Sequence, residues 1–119
     1  MSARTFPLRL RPGQDLRAAL ERLARTRGVR AGIVLSAVGS LEAPCIRFAG
    51  AQNPSALPGC FEIVSLTGTV CRDGVHLHAA LAGAQGQVVG GGRPAEFNRT
   101  QADGECDRKE MSGRRETRR

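Results

Sequence analysis

The stretch that decides the fold is GCFEIVSLTGTVCRDGVHLHAALAG, residues 59–83. Two runs of alternating apolar and polar residues flank Asp73-Gly74, a dipeptide that favours the tight turn of a β-hairpin. Because successive side chains of a strand point to opposite faces, the second run buries Val75, Leu77, Ala79 and Leu81. His76 and His78 then project together from the other face. In the first run, the same alternation places Phe61, Ile63 and Ser65 on one face and Glu62, Val64 and Leu66 on the other.

The segments around this hairpin predict one helix and several further strands. Residues 6–12 alternate and predict a half-buried strand. An apolar stripe at helical spacing follows, with Asp15 as N-cap and Gly28 as the residue that ends the helix. Three more strands are expected: a buried one over 33–38, a weaker one over 45–48, and one that begins at 87. This order predicts an α+β domain with a mainly antiparallel sheet and a covering α-helix.

The sequence pattern changes after Gly92. Residues 93–119 contain few apolar residues, in neither the helical nor the strand period, and carry eight basic and six acidic residues. Such a segment cannot bury enough apolar surface to offset the entropy lost on ordering. We therefore predict a domain over residues 1–92 and a disordered basic tail over residues 93–119.

Composition narrows the classes of partner and location. The 119 residues carry a formal charge of +7, with seventeen arginines and one lysine, which favours anionic partners and nucleic acid above all. The absence of Trp and Tyr argues against stacking on single-stranded bases. No apolar run could span a bilayer, and the N-terminus lacks the apolar centre of a signal peptide, so we expect a cytoplasmic protein. None of the four cysteines forms a C-x-x-C pair, which argues against a zinc ribbon.

The hairpin sequence resembles a known family. GCFEIVSLTGTV is similar to the G-x-F-E-I-x-S-L-x-G core of the PPC domain, also called DUF296, which is found in plants and prokaryotes. The resemblance covers about residues 5–91 and includes AGIVLSAVGSL and GVHLHAALAGAQGQVVGG in the same order. It implies a strongly bent, mainly antiparallel sheet with an acetolactate decarboxylase-like architecture, and assembly as a homotrimer. It also implies a self-associating module with a DNA-associated regulatory role, since plant members accompany DNA-binding AT-hook segments.

The resemblance also implies an incomplete metal site at His76 and His78. Prokaryotic members commonly show H-x-H and then a further histidine in G-G-H, a set that suits a divalent metal such as zinc. Here Arg93 follows three glycines, and the chain has two histidines in all. Glu62, on the neighbouring strand, is a candidate third ligand.

Two alternatives to the self-associating module remain open. One is a metal-dependent, lyase-like enzyme acting on a small oxo acid, in which His76 and His78 bind the metal and Arg47 holds a carboxylate. The missing third histidine argues against this activity, and no catalytic residue is assigned. The other is a truncated product without function. Family members continue past G-G-H with an apolar strand that is missing here. We therefore hypothesise a frameshift near residue 92. Reading the gene in its other two frames would test this hypothesis.

Overall fold

The predicted hairpin forms the centre of a five-stranded antiparallel sheet in the computed structural model, which describes residues 2–92. The elements, in chain order, are α1 (Leu16–Arg27), β1 (Gly32–Ile33), β2 (Ser40–Glu42), β3 (Cys45–Ile46), β4 (Ser55–Ala56), β5 (Cys60–Cys71), β6 (Gly74–Ala82) and β7 (Val88–Gly92). The sheet runs β1-β5-β6-β7, and β2 pairs with the other end of β5 on the same side as β1. β3 and β4 form a separate two-stranded sheet. The predicted α+β class is confirmed.

The helix begins and ends where the sequence predicts. The Asp15 carboxylate accepts a hydrogen bond from the Ala18 amide at 2.8 Å, which satisfies one of the free donors of the first turn. Gly28 ends α1 in the left-handed conformation, at φ 62°, which glycine adopts without steric cost. α1 packs on β5 and β6 and covers one face of the sheet.

The core lies between α1 and this covered face. β6 contributes the alternate residues that the hairpin pattern predicted, and all four are buried: Val75, Leu77, Ala79 and Leu81. Leu41 of β2 and Ile46 of β3 are completely buried in the same cluster. The opposite face of β5, β6 and β7 carries short or polar side chains, and no element of residues 2–92 is described packing on it. We call it the outer face.

A bulge in β5 corrects the predicted faces of that strand. Ile63 pairs with Leu81 and Ser65 with Ala80, so Val64 is an extra residue with no partner in β6. The side-chain alternation therefore shifts by one after Ile63. Leu66 is buried on the same face as Phe61, although uninterrupted alternation had placed it opposite.

Two predicted strands differ from the structure. Residues 6–12 alternate but form no strand within the described chain, because alternation specifies a face and not a neighbouring strand to pair with. The strand predicted over 33–38 ends at Ile33, and the chain then leaves the edge of β5. Ile33, Leu35 and Val38 are exposed rather than buried, because an apolar composition does not show which residues of a stretch pack on the core.

Two further predictions concern the C-terminal tail and the crossing of a membrane. The disordered tail predicted for residues 93–119, and the missing strand there, lie outside the described residues. Between Ser2 and Gly92, no helix has both the length and the apolar character that crossing a membrane would require.

Candidate functional site

The two histidines lie side by side on the outer face. His76 and His78 are both exposed positions of β6, and their ring centroids are 5.9 Å apart. Their cross-strand partners on β5 are Thr69 and Thr67, which are also exposed. The prediction that both imidazoles share one side of the sheet is confirmed. The buried residues between and beside them hold β6 in place, because they pack beneath the helix.

A polar row crosses the sheet at His78. Thr67 pairs with His78, His78 pairs with Gly92, and Gly92 forms a β-bridge with Arg47. The Arg47 amide donates to the Gly92 carbonyl at 2.8 Å, and the Gly92 amide donates back at 3.1 Å. Cross-strand partners project from the same face, so Arg47 and His78 flank a position that has no side chain. With neighbouring strands about 4.8 Å apart, their backbones are separated by about 10 Å.

This row is a set of hydrogen-bond donors rather than a metal site. Among residues 2–92, no three histidine, cysteine, aspartate or glutamate side chains are grouped closely enough to hold a metal ion. A structural zinc is held by four protein ligands and a catalytic zinc by three. His76 and His78 supply two. The residues described therefore do not fit a resident zinc, and no lyase step is derived from them.

The suggestion that Glu62 completes the site is wrong. Glu62 pairs with Ala82, four positions along β6 from His78. At about 3.3 Å per residue, that separation is about 13 Å. Its neighbour on the other side is Ser40 of β2, so this carboxylate belongs to the opposite end of the sheet.

Exposed aliphatic side chains line the free edge of β5 between β1 and β2, a feature that the sequence predicted as core. The Val34 amide donates to the Gly68 carbonyl at 3.2 Å, and the Ile63 amide donates to the Gly39 carbonyl at 2.8 Å. These two hydrogen bonds fix the ends of the segment 34–39 to β5, one on each side of the bulge. The side chains that point outward along this stretch, which we call the edge patch, are Ile33 (69% exposed), Leu35 (73%), Val38 (93%) and Val64 (58%).

No signal in the sequence separates the edge patch from a buried strand. Residues 31–41 contain no charged residue, and Val34 and Ala37 within them pack on the core. The inward-facing Val34 and Ala37 are interspersed with the outward-facing Ile33, Leu35 and Val38, and all five side chains are apolar. A strand buried on both faces has the same composition, so sequence alone does not distinguish the two.

Comparison with known proteins identifies a family and a related module. The model of the Plants and Prokaryotes Conserved (PCC) domain matches residues 1–95. Bifunctional protein GlmU from Synechococcus sp. (strain JA-3-3Ab) is 52% identical over 90 residues, which make up 76% of this chain and 14% of that protein. The chain thus corresponds to a small part of the curated relative that it matches.

Solved structures share the fold. A hypothetical protein from Salmonella cholerae-suis superposes with a TM-score of 0.76 and 33% identity, covering 80% of this chain and 68% of that one. A plant- and prokaryote-conserved (PPC) protein from Pyrococcus horikoshii gives a TM-score of 0.71 at 28% identity, covering 82% and 72%.

Two further structures carry functional descriptions of their own. The metal-containing protein AF0104 from Archaeoglobus fulgidus gives a TM-score of 0.66 at 28% identity, covering 86% of this chain and 79% of that one. A proposed DNA-binding protein from Bacteroides thetaiotaomicron gives 0.60 at 20% identity, covering 72% and 62%, a likeness that concerns the fold alone.

Proposed function

Because the chain belongs to the Plants and Prokaryotes Conserved (PCC) domain family, we propose that it is a self-associating module, working as a homotrimer beside DNA in a regulatory role. The observation that carries the proposal is the edge patch. Four large aliphatic side chains stand in solvent along one edge of the sheet, each more than half exposed. Contiguous exposed apolar surface of this kind marks interaction sites.

A second copy of this chain is the occupant that the charge distribution supports. Residues 2–92 contain ten arginines and five acidic residues, so two copies carry like net charge and repel each other. The stretch from residue 31 to residue 41 is free of charge. Two like-charged copies can approach there with the least repulsion while removing apolar area from water, at about 25 cal/mol per Å².

The position of the patch supports a closed ring. An edge patch that contacts a different surface of the next copy makes a head-to-tail interface, and such interfaces generate rings when the rotation closes. Three copies is the number that the family resemblance implies. The patch also borders the bulge, whose extra residue, Val64, projects into solvent at the same edge.

Association with DNA is supported by charge. The formal charge of +7 favours binding to a polyanion, and neutralising phosphates with arginine supplies most of the affinity of sequence-independent DNA binding.

Self-association is tested by native mass spectrometry of the full chain at several concentrations. We expect a trimer for the unaltered chain and a shift to monomer for Val38→Asp, because a charge in the patch must be desolvated in the interface. Val88→Asp is the matched control: Val88 is 59% exposed but lies in β7, at the far side of the sheet. A monomeric unaltered chain, or equal effects of the two variants, would overturn this part of the proposal.

A further inference from the structure

The arginines of the described chain are concentrated at its beginning. Eight of the ten lie between residues 4 and 30, in the segment before α1, in α1 itself and just after it. Six of these eight are exposed and form no ion pair with a carboxylate of residues 2–92: Arg4, Arg9, Arg22, Arg25, Arg27 and Arg30. We call these six the arginine surface.

The two acidic residues in this region do not neutralise it. Asp15 accepts the N-cap hydrogen bond from Ala18 at 2.8 Å. Glu21 pairs with Arg17, one turn away on the helix, with Nε and Oε1 3.1 Å apart. Arg22 and Arg25, which lie on the exposed side of α1 away from the sheet, therefore keep their full charge facing solvent.

One aromatic ring organises part of this surface. The guanidinium carbons of Arg4 and Arg27 lie 5.4 Å and 5.5 Å from the centroid of the Phe6 ring. This double cation–π contact attaches the N-terminal segment to the C-terminal end of α1. It also holds two cations near one point, which restricts their rotamers before any ligand arrives.

The geometry extends the surface along the whole helix. Phe6 lies near the C-terminal end of α1, where Arg27 contacts its ring, and Asp15 caps the N-terminal end, so Arg9 belongs to the segment that connects the two ends of the helix. A helix of 12 residues is about 18 Å long. One strand of B-DNA presents a phosphate every 3.4 Å or so along the axis, so about five phosphates face a surface of this length.

We propose that the arginine surface is where this protein contacts the phosphate backbone of duplex DNA, without reading bases. The inference rests on the proposed association with DNA and identifies the face that carries it. The apolar side of α1 is buried against β5 and β6, which leaves no apolar face to insert into a lipid bilayer. The edge patch contains no member of this surface, so self-association and DNA contact use different residues.

The test is a titration of a fluorescently labelled 20-base-pair duplex with the full chain at several salt concentrations, followed by anisotropy. About five phosphate contacts predict a slope of log affinity against log salt of about −4.5, equivalent to about a five-hundred-fold loss between about 50 and 200 mM salt. Replacing Arg22 and Arg25 together by alanine should make the slope shallower by about 2. AT-rich and GC-rich duplexes should bind equally.

Two controls separate charge from position. Arg25→Ala should reduce the slope by about 1, whereas Arg47→Ala, which removes the same charge from the outer face, should leave it unchanged. Phe6→Leu keeps the net charge at +7 but frees Arg4 and Arg27. We expect it to weaken binding by about two- to five-fold, the worth of an exposed cation–π contact, at an unchanged slope. Circular dichroism and oligomeric mass verify that each variant is folded.

The outcomes distinguish this inference from the function on which it rests. If the unaltered chain fails to bind DNA near 50 mM salt, the proposed DNA association fails and the surface assignment fails with it. If the unaltered chain binds but the Arg22 and Arg25 double variant binds equally well, the association stands and the assigned surface is wrong. Binding to anionic vesicles that matches binding to DNA would also overturn the assignment, because it would show a general affinity for polyanionic surfaces.

Discussion

His78 illustrates how the chemistry of a residue depends on its cross-strand partners. Its neighbours in the row are Thr67, Gly92 and Arg47, which offer a hydroxyl, a bare backbone and a guanidinium. None of these is a metal ligand of the kind that zinc or copper prefers. An imidazole in this setting can donate to or accept from an anionic or neutral ligand, and the guanidinium across Gly92 adds a positive charge.

We predict that removing divalent metal leaves the folded protein unchanged. Dialysis against a chelator should not shift the thermal midpoint, and His76→Ala and His78→Ala should each change the free energy of unfolding by less than about 0.5 kcal/mol, because both side chains are exposed. Differential scanning fluorimetry and elemental analysis of the purified protein measure these effects. A stoichiometric metal that survives dialysis and disappears in His76→Ala would contradict the prediction.

The hairpin of β5 and β6 shows how far the sequence specifies an element. The Asp-Gly turn and the alternation of β6 predicted the pairing, the buried face and the shared side of the two histidines. The bulge was not predictable, because one unpaired residue leaves no mark of its own and inverts every face assignment after it. Residues 6–12 and 33–38 show the same limit, because a segment's own sequence does not show which strand pairs with it or what packs on its apolar side chains.

The hairpin also depends on a close backbone approach that only glycine permits. A Cβ on Gly68 would overlap the carbonyl oxygen of His76 and come within 2.9 Å of Leu77 Cδ2. Both atoms belong to β6, and one of them is backbone. The two strands would have to separate to admit a methyl group at this position.

We therefore predict that Gly68→Ala lowers the free energy of unfolding by about 1–3 kcal/mol, as overpacking of a core usually does. Gly74→Ala, in the same hairpin, is the control, because a Cβ there meets no atom within 4 Å and its φ is not positive. Urea denaturation followed by circular dichroism gives both values. Equal stabilities for the two variants would show that β5 and β6 can separate at little cost.

At the scale of the whole molecule, positive charge and apolar surface are segregated. The arginine surface covers α1 and the segment before it, and the uncharged residues 31–41 run along the sheet edge. Charge composition alone indicated an anionic partner, but it did not indicate which side of the fold would bind that partner. That information appears only once the helix is packed, because packing selects which arginines face solvent.

The segregation predicts opposite responses to salt. Raising the salt concentration from about 0.1 M to about 1 M shortens the Debye length from about 10 Å to about 3 Å. Repulsion between like-charged copies then weakens while the apolar contact persists, so we expect self-association to strengthen. DNA binding should weaken over the same range, because releasing the condensed counterions gains less entropy when the bulk salt concentration is higher.

Sedimentation velocity and duplex titration on one preparation test both responses. Trimer that dissociates as salt rises would indicate an interface held by ion pairs rather than by the edge patch.

The extra residue in β5 has a consequence for anyone who edits or aligns this gene product. Deleting Val64 would remove one exposed side chain and the bulge together. Phe61 and Leu66 would then be four positions apart instead of five, and uninterrupted alternation would still place both beneath the helix. A single codon missing at this point would therefore do less harm than one lost where β5 is regularly paired, and an alignment with a strand that lacks the bulge places its gap at residue 64.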